Sequence, residues 1–68
     1  MEEKVLIFKD TRHQEAFRKA LEQASLGRVV IRPDHGWPKP ALRVWGVNPS
    51  HVLAASIWTG FEPEVVLE

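Results

Sequence analysis

Cysteine is absent from the 68 residues, which excludes disulfides, thiolate metal sites and a cysteine nucleophile. That absence fits a reducing compartment, and a cytoplasmic protein is expected. Asparagine occurs once, at Asn48, methionine stands only at position 1, and arginine slightly outnumbers lysine. Scarcity of thermolabile residues gives the chain a thermophile-like composition. Net charge is lacking too, nine basic side chains balancing nine acidic ones. A protein built to grip duplex nucleic acid is normally clearly basic. Val44 to Phe61 carries no charge, but Asn48-Pro49-Ser50-His51 interrupts the run well short of the ~20 residues a membrane span needs. The acidic start, Met1-Glu2-Glu3-Lys4, does not read as a targeting segment.

Repeats, linkers and low-complexity tracts are also missing, so one domain over residues 1–68 is expected. A domain this small buries only about 60% of its unfolded surface. Such domains commonly recruit disulfides, a metal or a partner subunit. With no disulfide available, oligomerisation is the expected supplement.

What is present reads as six elements. Lys4-Val5-Leu6-Ile7-Phe8-Lys9 is an apolar, partly β-branched run, expected as a central strand covered on both faces. Thr11 with Gln14 three residues on predicts a capping box. The helix it opens carries Ala16, Phe17, Ala20, Leu21 and Ala24 at helical spacing, with Arg12, Glu15, Arg18, Lys19, Glu22 and Gln23 on the wet side. Gly27 is expected to close it. Arg28 to Arg32 is a second strand, and the proline-rich stretch from Pro33 to Pro40 is a loop. Ala41 to Val47 is a third strand. Asn48 caps a second helix with Pro49 at its first position, Gly60 ends it, and Glu64 to Glu68 is a short last strand.

The order β-α-β-β-α-β, with right-handed crossovers, predicts an α+β two-layer sandwich of the ferredoxin-like, split-βαβ kind. Its four-stranded antiparallel sheet has the order 4-1-3-2, with both helices on one face. Pairing Val29 with Val44 and Ile31 with Leu42 puts those four side chains under the helices. The helix-free face then carries Arg28, Val30, Arg32, Arg43 and Trp45, with Arg28 opposite Trp45. The first strand adds either Leu6 and Phe8 or Val5 and Ile7, and the last adds Glu64, Val66 and Glu68. That face is therefore expected to be apolar in the middle, basic at one edge and acidic at the other.

Such a face suits a two-fold interface, in which the basic edge of one copy meets the acidic edge of its twin. It also suits single-stranded RNA or DNA, with Phe8 and Trp45 stacking bases and Arg28, Arg32 and Arg43 holding phosphates. In those two aromatic positions the chain is similar to RNA-recognition motifs, although Leu42 to Val47 lacks their full aromatic-glycine pattern. The plain alternative is a sheet face with a few solvated arginines.

On the second helix, Leu53, Ala54, Ile57 and Phe61 are expected to face inward, and Val52, Ser56 and Thr59 outward. The helix bears no charge from Pro49 to Thr59, which suggests contact with a partner anchored by Trp58. Trp37, held between Gly36 and Pro38, reads as a preordered recognition element or as a cap on the core.

No metal or cofactor is expected. His13, His35 and His51 form no ligand-spaced pair. No phosphate-cradling glycine loop or nucleophile elbow is present. Acylphosphatases share the inferred topology, but Asp10-Thr11-Arg12 has no glycine where their loop needs one. Asp34 beside His35 is the one candidate for proton transfer, and it would need a pocket at the loop. The chain is thus expected to be a non-enzymatic homo-oligomeric binding or interaction module, a dimer in its simplest form, with Arg28, Arg32, Trp37, Arg43, Trp45 and Trp58 as its contact residues.

Overall fold

A computed structural model describes residues 3–68. The elements run β1 (Glu3–Ile7), α1 (Thr11–Ser25), β2 (Val30–Asp34), β3 (Ala41–Trp45), α2 (Pro49–Thr59) and β4 (Val65–Leu67). The strands form one antiparallel sheet in the order β2-β3-β1-β4, the expected ferredoxin-like arrangement. β1 is an inner strand, as its apolar run implies, with Val5 and Leu6 buried on opposite faces. The smallest extent is 16 Å, one sheet and one layer of helices.

The core lies between those layers. Leu6 pairs with Leu42, Val44 shares their face, and above them sit Phe8, Phe17, Leu21 and Ala55. Phe17 is the centre: its ring lies 5.2 Å from Phe8 and 6.0 Å from Phe61. Lys4 is buried on this side too, its long aliphatic stem allowing a charged residue in the layer.

The ends of α1 depart from expectation. Asp10, not Thr11, is the N-cap, its carboxylate accepting from the His13 amide at 2.9 Å. A carboxylate at this position also meets the positive end of the helix dipole. Gln14 is thereby freed, and its side chain donates instead to the Ala41 carbonyl at 2.8 Å, tying the helix to β3. At the other end Leu26 takes the left-handed conformation with φ 57°, and the Gly27 amide then reaches the Glu22 carbonyl at 2.9 Å. Asn48 caps α2 as expected, with His51 completing a reciprocal box.

The hairpin is shifted by two residues. Ile31 lies opposite Val44 and Pro33 opposite Leu42, because β2 runs on through Pro33 to Asp34. Proline is tolerated there because β2 is an edge strand. A slip of two keeps every side chain on its expected face, so Val29 and Ile31 still pack toward the core. Val30, not Arg28, now lies opposite Trp45. The last strand is shifted by one. Val65 and Leu67 pair with Ile7 and Val5, so these apolar residues, rather than Glu64, Val66 and Glu68, join the open face.

Phe17→Ala removes the ring on which both aromatic neighbours rest, a loss of about 3–5 kcal/mol. Chains of this size have roughly 0.05–0.15 kcal/mol of stability per residue, so the variant should be largely unfolded in urea titrations. Asn48→Ala, which loses only a cap, should cost about 1 kcal/mol and stay folded.

Candidate functional site

Two surfaces carry the residues of interest. On the open sheet face, β3 places Arg43 diagonally between Glu3 of β1 and Asp34 of β2. Its guanidinium donates to Glu3 and, at 2.9 and 3.1 Å, to Asp34. The Trp45 indole donates to the other oxygen of Glu3 at 3.0 Å. Asp34 also accepts from the Gly36 amide at 3.0 Å and from the Trp37 indole at 2.8 Å. One chain of bonds, Trp45–Glu3–Arg43–Asp34–Trp37, thus crosses three strands and clamps the proline loop.

This changes what the face offers. Phe8 is turned into the core, so it cannot stack a base. Arg43 is engaged by two carboxylates, which leaves exposed Arg28 and Arg32 as the cations expected to hold phosphates. The acidic far edge is replaced by Val65 and Leu67, while Glu64 pairs with Lys39 at 2.7 Å. The middle of the face is an ion network rather than an apolar patch.

A recess of about 320 Å³ does lie beside the loop, lined by Thr11, Gln14, Asp34, His35, Trp37 and the segment to Pro40. Asp34, the carboxylate on its wall, is already engaged. The Gly36 amide, the Trp37 indole and the Arg43 guanidinium hold the Asp34 carboxyl below its ordinary pKa, so it is a poor base. Trp37 is partly covered and bonded, a brace for the loop.

The histidines stand apart from one another, and two of them have partners. His13 bonds Asp10 at 2.7 Å and meets Phe61 edge-on at 4.2 Å. His51 accepts from the Asn48 amide, and His35 is exposed on the loop. Among the described residues, no group of three or more histidines and carboxylates is placed to hold a metal, and no helix is long and apolar enough to cross a membrane.

The second surface is α2, where the expected orientation is reversed. Ala55 is buried and Val52, Ser56 and Thr59 are partly covered, whereas Leu53, Ile57 and Trp58 are 59%, 74% and 74% exposed. The reason is spatial. Phe17 and Leu21 already fill the layer, so α2 approaches through its small residues, with Thr59 turning its hydroxyl back to the Ala55 carbonyl at 2.8 Å. Phe61, one residue beyond the Gly60 cap, does face inward as expected and supplies the ring on that side. The large side chains are left outside, and Trp58 among them stands on the wall of a groove between α1 and α2 that Ala16, Ala20 and Ala54 also border.

No protein-family model, curated protein or solved structure matches the chain. Of the contact residues expected from sequence, Trp37, Arg43 and Trp45 come together through Asp34 and Glu3. Trp58 stands on the helical layer, apart from them. Glu3 carries no signal in the sequence, and Leu53 and Ile57, expected to face inward, stand outward. The lack of charge on α2 was the available signal for the last two.

The lowered Asp34 pKa makes a signed prediction. A carboxyl that binds its proton less readily when folded contributes stability that is fully present above its ordinary value of about 3.9. That contribution is lost as pH falls through the lowered folded value. Asp34→Asn should therefore be less stable than the parent at pH 7, and the gap should narrow on acidification toward pH 2. Urea midpoints across that range measure it; a constant gap would show that the carboxylate's charge is not what braces the loop.

Proposed function

We propose that this chain is a non-enzymatic interaction module that works as a homo-oligomer, in its simplest form a dimer, and that the outward face of α2 is its contact surface. The observation that carries this reading is the inverted helix: Ala55 and Ser56 face the layer while Leu53, Ile57 and Trp58 face water. A solvated helix places charge on its outer side, yet no residue from Pro49 to Thr59 is charged. Contiguous exposed apolar residues mark interaction surfaces, and tryptophan is favoured at their centres. The small core gives the same surface a second use, since burial against a partner adds stability that 68 residues otherwise lack.

The engaged state of Asp34 supports a binding rather than a catalytic role. The lack of cysteine accords with a cytoplasmic setting. The single-stranded nucleic acid reading is less well supported than it was from sequence, because Phe8 is internal and Arg43 is neutralised by its partners.

Sedimentation equilibrium at tens of micromolar should give twice the monomer mass. Ile57→Lys, which sets a charge on the outer face without touching the core, should sediment as a folded monomer with an unchanged circular dichroism spectrum. A parent protein that stays monomeric throughout would refute the proposal.

A further inference from the structure

We infer that the occupant of the α2 surface is a second copy of this chain, related by a two-fold axis at the level of Ser56, with the Trp58 indole of each copy lodged beside Ala54 of the other. This rests on the reading of α2 as the contact surface of a homo-oligomer and adds how the two copies are seated.

Self-complementarity comes from the helix itself. Ala54 and Trp58 lie one turn apart on α2 and border the same notch of about 170 Å³, completed by Ala20, Gln23 and Ala24 of α1. An antiparallel pairing of α2 with its copy about Ser56 brings position 58 of one helix level with position 54 of the other. The largest outward side chain is thereby exchanged with one of the smallest, twice, as an isologous interface requires. A parallel pairing would set tryptophan against tryptophan and leave both notches unfilled. An apolar cavity of about 150 Å³ accommodates a benzene ring, so the notch is large enough for the six-membered ring of an indole.

Charge and area agree with a twin as the occupant. Because α2 is uncharged, apposing two copies brings no like charges together on the paired helices, and a strongly charged partner would gain nothing there. At their exposures Leu53, Ile57 and Trp58 present roughly 400 Å² of apolar surface. That is a suitable apolar centre for an interface of about 800 Å² per partner, with Lys19 and Gln23 beside the groove as polar rim.

The seat is tested by filling the notch. Ala54→Leu adds apolar surface to an exposed position and keeps a strong helix former there, so a non-specific apolar contact would be kept or strengthened. If the notch receives Trp58, Ala54→Leu and Trp58→Ala should each weaken self-association by about thirty-fold or more, as for hot-spot residues. Self-association of Ala54→Leu as tight as the parent's, beside a weakened Trp58→Ala, would overturn the seat and leave the contact surface standing. A monomeric parent would overturn both. In the unmutated dimer, isotope-filtered NOEs should connect Trp58 ring protons of one copy to the Ala54 methyl of the other. Their absence from a dimeric sample would overturn the seat without recourse to any variant.

Discussion

The ring of Phe17 fills the middle of the space between sheet and helices, with Phe8 against it on one side and Phe61 on the other. Once that space is taken, little room is left beneath α2. The helix must come in through Val52, Ala55 and Ser56, and its larger residues are pushed to the far side. A bigger domain would have a second layer to receive them. In a chain of this length the layer is one helix deep, and surface-to-volume scaling leaves apolar area uncovered. The exposed row on α2 is thus a consequence of how the core is filled.

The opposite face of the sheet solves a different problem. An antiparallel sheet with helices on one side presents its other side to water. Here that side is closed by Arg43, which joins Glu3 and Asp34 and through them fixes two indoles. Exposed ion pairs contribute little one by one. Their value in this network is positional: they tie the proline loop to β1 and β3 and cover Val5 beneath them. The two sides of the molecule therefore differ in kind: the sheet side carries a braced ion network with exposed apolar residues at its edge strands, Val30 and Val65 among them, and the helical side leaves an apolar row open along α2.

Much of the fold was legible in the sequence because its signals are local. The apolar run at Val5 to Phe8, the glycine and proline punctuation, and Asn48-Pro49 at the start of α2 each act within a few residues. The strand order followed from element order and handedness alone. Signals that depend on distant neighbours were misread. Thr11 with Gln14 formed an acceptable capping box until Asp10 competed for the same amides and Ala41 offered Gln14 a partner. The register of β2 depended on whether Pro33 could lie within a strand, which only its place at the sheet edge permits. On α2, apolar residues occur on nearly every side, so periodicity gave no direction. The missing charge was the informative feature, and it pointed to the surface without showing which side was turned outward. The bridging role of Glu3 and Asp34 could not be seen before the strands were paired.

The three tryptophans provide the most direct test. The indole N–H groups of Trp37 and Trp45 are bonded to Asp34 and Glu3, whereas Trp58 lies on the open side of α2. In a dilution series followed through the indole N–H signals in ¹H–¹⁵N spectra, two resonances are internal controls and one is the reporter. If a second copy covers α2, the Trp58 signal shifts saturably with concentration while those of Trp37 and Trp45 stay in place. A Trp58 signal that is unchanged at every concentration, or a shift confined to Trp45 on the sheet face, would contradict the account.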